Sequence, residues 1–301
     1  MSSETVLAKF AKLNVWEQAG VRKPYKPLLA LYALGQWNSD KRCPILFGDL
    51  EEPLSDLMTE FGSAKNPHPE YPFWYLQNDE VWVVKPDGMP PRNGKDSQPA
   101  PTTLRDGGAT GEFTEDVREA LTADPTLVNR IAAGLLASHF PPTYHADIAE
   151  RVGLDPSFPA PEAGHRRRDP TFRPQVLAAY KWQCAVCGIK LRLQVKPNRW
   201  VDAALEAAHI KWHTAGGEDE VRNGLALCSL HHKAFDLGVF TIGTDGKLSV
   251  SSSSDGNEVF HQLIGKHHNC GVTLATGENA PDPKSLEWHA AQVFKGKLPS
   301  E

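Results

Sequence analysis

The chain has 301 residues, 40 % of them hydrophobic and 23 % charged, which is enough for two domains that each bury a core. No apolar run approaches the roughly 18 residues that suggest a membrane span, and charges interrupt the N-terminal MSSETVLAKFAKL, so a cytoplasmic protein with no membrane partner is expected. The net charge of −5 argues against bulk attraction to nucleic acid, but it is uneven: residues 1–164 hold 15 Lys+Arg against 23 Asp+Glu (−8), and residues 165–301 hold 17 against 14 (+3).

In chain order, Val6, Leu7, Phe10, Leu13 and Trp16 recur at helical spacing and predict a helix over 4–19. VRKPYKPLLALYALGQW predicts a second helix, apolar on most sides and therefore buried, with Pro27 in its first turn. A third is expected over 46–61. YPFWYLQNDEVWVVKP (71–86) is aromatic and β-branched around Gln77, Asn78 and Asp79, so it reads as a β-hairpin. A long loop over 87–111 and helices near 113–122, 125–139 and 143–152 complete the first half. The Pro-rich and then basic stretch 156–169 reads as a linker. Arg166, Arg167 and Arg168 within it are either a solvated run or a phosphate-contacting arm. The second half opens with a helix near 171–182 and the knuckle CAVCG. A strand ending at His209, a polar loop, a strand GLALC and a helix beginning SLHHKAFD follow. The expected class is α+β: a mainly helical N-terminal domain (1–155) with a β-hairpin wing, and a C-terminal domain (170–301) built around a zinc knuckle.

Of the five cysteines, Cys43 and Cys270 stand alone and read as free thiols. Cys184-x2-Cys187 and Cys228-x2-His231, with 40 residues between them, form two close-spaced pairs. Tetrahedral Zn²⁺ wants four N or S ligands, so a structural zinc site is expected at these four. His232 follows His231 directly. On a helix it points about 100° away, so it faces something else.

The order His209 … Asn223 … His232, inside a strand–loop–strand–helix beside the zinc knuckle, resembles the HNH family of nucleases over roughly residues 170–245. The resemblance implies a ββα-metal fold that hydrolyses DNA. It implies His209 as general base, Asn223 as the brace of the loop, and His232 as ligand of a catalytic divalent ion (Mn²⁺, Mg²⁺, Co²⁺ or Ni²⁺). One position departs: many such sites carry Asp just before the first His, and here Ala208 stands there. Glu206 lies on the same strand face and Asp236 on the same helix face as His232, so each is a candidate replacement ligand.

In the first half, RKPYKPLLALYALG (22–35) and YPFWYLQNDEVWVV (71–84) resemble the sulfur-binding domain of McrA-type restriction endonucleases, which act on phosphorothioate-modified DNA. The resemblance implies Tyr71, Pro72 and Tyr75 as an apolar cup for sulfur, which is more weakly hydrated than the oxygen it replaces. Arg22, Lys23 and Lys26 sit at a helix start, where phosphate is favoured, and are expected to grip the backbone with Tyr25 alongside; Lys95 and Arg105 are candidates to reach a groove. Together these readings imply a phosphorothioate-dependent endonuclease acting on double-stranded DNA, expected as a homodimer because one HNH site cuts one strand. The rival readings are a nuclease dependent on methylated or hydroxymethylated cytosine, and a non-catalytic modified-DNA binding protein whose HNH fold is only a zinc scaffold.

Overall fold

The computed structural model describes residues 2–18, 21–39, 44–62, 64, 66–91, 97–155 and 169–296. The chain separates into two compact units, Met1–His165 and Arg166–Glu301. Cys43, Lys95, the Arg166–Arg168 run and almost all of the expected linker lie outside the described residues.

The first unit runs α1 (Ser3–Ala11), β1 (Trp16–Gln18), β2 (Val21–Lys23), α2 (Tyr25–Asn38), β3 (Ile45–Leu46), α3 (Phe47–Glu60), α4 (Glu70–Tyr75), β4 (Trp82–Lys85), α5 (Pro101–Asp106), β5 (Thr110–Phe113), α6 (Glu115–Ala123), α7 (Leu127–His139) and α8 (Pro142–Val152). Helix α2 is the hub. It is apolar all round, and Leu28, Leu29, Leu31 and Leu34 are completely buried among α3, α4, α7 and α8. Its Gly35 admits α8 so closely that a Cβ there would lie 1.7 Å from the Val152 carbonyl oxygen. A small antiparallel sheet in the order β3-β5-β4 closes one side. Phe73, Trp82, Phe113 and Phe10 meet edge to face in sequence beneath it.

Three expectations are corrected here. Helix α1 stops at Ala11, because the Asn14 backbone N–H turns away to Asp79 Oδ1 (2.7 Å); Trp16 is an exposed strand residue. Residues 71–86 are not a hairpin. Their first part is α4, continued by a 3₁₀ turn over Leu76–Asp79, and only Trp82–Lys85 is a strand, paired with β5. Pro72 needs no backbone N–H in a first helical turn, and helical spacing buries Pro72, Phe73 and Leu76 while turning Tyr71 outward. Among the described residues, β1 pairs antiparallel with β2, Trp16 opposite Lys23. The expected loop over 87–111 contains α5 and the start of β5.

The second unit continues with α9 (Phe172–Ala179), β6 (Arg192–Lys196), β7 (Arg199–Asp202), β8 (Leu205–His209), β9 (Gly224–Cys228), α10 (Ser229–Asp236), β10 (Phe240–Ile242), β11 (Leu248–Val250), α11 (Glu258–Leu263) and α12 (Pro283–Gln292). Strands β8 and β9 pair antiparallel with Leu205 opposite Cys228 and His209 opposite Gly224. Helix α9 packs on this pair, and Gly224 leaves room for it: a Cβ there would meet Val176 at 2.4 Å. Leu177, Ala208, Leu225, Leu227, Phe235 and Phe240 form the core. The C-terminal helix is held by His289. Its Nε2–H donates to the Phe235 carbonyl (3.1 Å), its Nδ1 accepts from Thr241 Oγ1 (2.9 Å), and its ring stacks on Phe235.

Candidate active site and metal centres

Cys184, Cys187, Cys228 and His231 come together as expected, with all four ligand atoms within 4.8 Å of one another. The knuckle turns at Gly188, where φ is +71°. Cys228 caps α10, which places His231 one turn into the helix. Contact with the Cys228 thiol, aided by His231, pulls the Cys184 thiol down to about 3 against the opposing effect of burial. His231 Nε2–H donates to the Leu263 carbonyl (3.0 Å), which leaves Nδ1, 3.0 Å from Cys228 Sγ, as the ligand nitrogen. Three sulfurs and one oriented imidazole are a donor set that fits Zn²⁺.

His232 faces the other way. Its Nδ1 lies 2.5 Å from Glu206 Oε2, and its Nε2 lies 3.3 Å from Asp236 Oδ2. Glu206 also accepts from Ser229 Oγ (2.5 Å), and the buried Asp236 accepts from Trp212 Nε1 (3.2 Å). Burial alone would lower the His232 pKa, but the two carboxylates raise it to about 9; in return the bond to His232 draws Glu206 down to about 2. Both suspected carboxylates therefore meet His232, on opposite ring nitrogens. They do not converge on one point. Ala208 is fully buried in the core, so a carboxylate in its place would need a partner to offset the cost of burying its charge.

His209 ends β8 with its ring stacked on Phe172 (centroids 4.2 Å apart) and its Nε2 2.8 Å from Asp219 Oδ1. Asp219 was not singled out in the sequence. Nothing in a polar loop ten residues from His209 marks it, and only the fold brings it back. Burial would raise the Asp219 pKa, but the Asp169 backbone N–H on Oδ2 (2.7 Å), His209 and His213 hold it below the usual carboxylate range. Asn223 is buried and ties the loop shut. Its Oδ1 accepts from the Lys211 N–H (2.9 Å), and its Nδ2 donates to the Lys211 and Glu218 carbonyls (2.9 and 3.0 Å).

In the first unit, Tyr71 and Tyr75 stand one turn apart on α4 with rings stacked at 6.4 Å and 10°. His68 meets Tyr71 edge-on and places Nδ1 3.1 Å from the buried Glu70 carboxylate; Tyr75 donates its hydroxyl to the buried Gln98 (3.2 Å). His68, Glu70 and Gln98 were not expected there. A His two residues before a helix-opening Glu is the one signal the sequence carries. Tyr25 covers Gly62, and burial pushes its hydroxyl up to about 12. Lys26 Nζ lies 2.6 Å from Asp79 Oδ2 in a largely buried pair. Arg105 is paired with Glu51 at the surface (3.0 Å). The Arg22 backbone lies in β2, opposite Glu17, and Lys23 opposite Trp16.

A ββα hairpin carrying His209, Asn223 and His232 against a Cys3His cluster defines the class of the second unit: it is an HNH endonuclease domain, matched over residues 184–243 by the family model for HNH endonuclease, and the protein is a DNA endonuclease. Residues 3–157 match the model for the ScoMcrA-like DNA sulfur-binding domain, and the chain belongs to that family.

No curated protein matches the chain. Among solved structures, the sulfur-binding domain of ScoMcrA complexed with phosphorothioated DNA is 22 % identical, over 49 % of this chain and 94 % of that one, with a TM-score of 0.45. The sulfur-binding domain of SprMcrA, also complexed with phosphorothioated DNA, is 20 % identical, over 51 % and 95 %, with a TM-score of 0.42. The Type IV phosphorothioation-dependent restriction endonuclease ScoMcrA is 21 % identical over 54 % of this chain, which covers only 37 % of that longer protein, at a TM-score of 0.43. Among the described residues, no helix is long and apolar enough to cross a membrane.

Proposed function

We propose that the protein binds phosphorothioate-modified duplex DNA through its first unit and hydrolyses phosphodiester bonds through its second, as a modification-dependent restriction endonuclease. The observation that carries this reading is the joining, in one chain, of a sulfur-binding family match to an HNH frame whose His209 is held by Asp219. His209 donates Nε2–H to Asp219, which makes Nδ1 the basic nitrogen; it takes the proton of the attacking water near neutral pH. Asn223 fixes the loop between the two strands and so the end of β8. His232 Nδ1 and Glu206 together suit a divalent ion. Asp236 holds Nε2–H from behind, as carboxylates do for metal-binding histidines. When bound there, the ion supplies a Lewis acid for a phosphate oxygen and the departing 3′ oxygen.

In the first unit, Tyr71 and Tyr75 form the sulfur-facing surface, with the buried Pro72 between them in α4 and Arg22, Lys23 and Tyr25 on the flanking phosphates. Two apolar ring faces favour a weakly hydrated sulfur over an oxygen that would lose strong hydrogen bonds. Each HNH site hydrolyses one strand, so double-strand cleavage is assigned to a homodimer; a monomeric mass with and without DNA overturns that part. The test of the whole is incubation of two otherwise identical plasmids, one phosphorothioated, with Mn²⁺ and with Mg²⁺. Cleavage of the modified plasmid alone is expected. Cleavage of both removes the sulfur requirement, and DNA binding with no cleavage under any divalent ion favours a binding module.

A further inference from the structure

Every residue from Cys187 to Val201 is exposed. Within this span β6 and β7 pair only with each other, joined by Pro197-Asn198, where Asn198 takes a φ of +60°. A two-stranded ribbon with both faces in solvent is marginal by itself. This one also carries large side chains that an unpartnered ribbon has no use for. The register puts Leu193 opposite Val201 on one face, and both are exposed. On the other face the Arg192 guanidinium lies over the Trp200 ring, 5.8 Å from its centroid. Beyond a bulge, Lys196 and Arg199 pair across the tip. With Lys190 the ribbon holds four cations against the single Asp202.

We infer that the β6–β7 ribbon is a DNA-gripping arm of the nuclease unit, laying Arg192, Lys196 and Arg199 against the phosphates of a duplex. The inference rests on the proposed function and adds a second DNA-binding surface to it. Charge selects the occupant: cations on both faces and at the tip match a polyanion that surrounds the ribbon, and repel a second copy of it. Geometry agrees, because the major groove admits a two-stranded β-ribbon. The ribbon runs directly into β8, so an arm seated on DNA is covalently continuous with the strand that carries Glu206 and His209.

The test uses the full chain with Arg192→Gln, Lys196→Gln and Arg199→Gln combined. Binding to a phosphorothioated duplex and to its unmodified twin is measured by fluorescence anisotropy over a range of salt. Each phosphate that the protein no longer neutralises makes the slope of log K against log salt shallower by about 0.9. The expected result is a slope shallower by about two to three on both duplexes, with the preference for sulfur unchanged. A slope and affinity equal to the parent's on both duplexes overturn the arm. A Leu193→Ser protein that turns from dimer to monomer, while the cation variant binds DNA normally, also overturns it and makes the ribbon a self-association surface. Zinc content equal to the parent's verifies that each variant is folded. A parent that shows no preference for sulfur refutes the proposed reader and leaves the salt slopes to decide the arm; a parent that binds neither duplex sinks both.

Discussion

Asp219 Oδ1 lies 2.8 Å from His209 Nε2, and the other Asp219 oxygen is held by the Asp169 backbone N–H. The carboxylate is thus fixed before it fixes the imidazole. Asp219→Ala is expected to lower the cleavage rate by about 10- to 100-fold, less than the roughly 10²- to 10⁴-fold that general-base catalysis supplies because His209 itself remains, and to leave DNA affinity unchanged. The acid limb of the pH–rate profile should move to lower pH, because the imidazolium no longer has its anionic partner. An unaltered profile would make Asp219 a loop brace only.

His209→Ala should abolish cleavage while leaving DNA binding and the melting temperature close to the parent's. The residue sits at a strand end and is not among the core side chains. Loss of the fold would mean that its stacking on Phe172 matters more than its basicity.

Cys184→Ser should release zinc and unfold the second unit, because binding of a structural zinc is itself folding free energy, about 10 kcal/mol or more in small zinc domains. Metal content and a thermal melt decide it. A variant that keeps one zinc per chain and melts with the parent refutes the tetrad.

Lys26→Met should destabilise the first unit by about 3 kcal/mol, the usual cost of leaving one member of a buried ion pair alone. Asp79 would lose its ammonium and keep only the Asn14 N–H. Urea unfolding checks the size. An unchanged midpoint together with weakened DNA binding would return Lys26 to the DNA surface.

Acid should loosen the second unit through His289. Burial lowers its pKa to about 4 in the fold, against about 6.5 in the unfolded chain. The neutral ring's contribution is therefore fully present above about pH 6.5, is lost as pH falls towards about 4, and falls no further below that. His289→Gln retains a donor for the Phe235 carbonyl and an acceptor for Thr241 without the titration. Its stability deficit relative to the parent should shrink over this window, and a gap that stays constant across it would show that His289 does not titrate there.

The Cys3His cluster and the separation of His231 from His232 were legible because they rest on short spacings: two residues between cysteines, and adjacent histidines that a helix must turn apart. Glu206 was legible through strand alternation. Asp219 was not, since a loop aspartate has no period to betray it. The aromatic run at 71–86 misled because ring-rich segments favour strands in general, while here Pro72 and the spacing of Phe73 and Leu76 suited a helix buried on one side. The partner of Lys26 was not legible either: Asp79 is distant in the chain and is brought back by the 3₁₀ turn.

One peptide bond joins His231 to His232. The first faces the Cys3His cluster and the second faces Glu206 and Asp236, so the register of a single helical turn sets both groups at once. On the proposed reading, loss of zinc would free that turn and separate His232 from Glu206, whatever the supply of Mg²⁺ or Mn²⁺. Zinc scarcity would in this way disarm the proposed nuclease while leaving the proposed reader intact, a ligand of marked DNA without a blade.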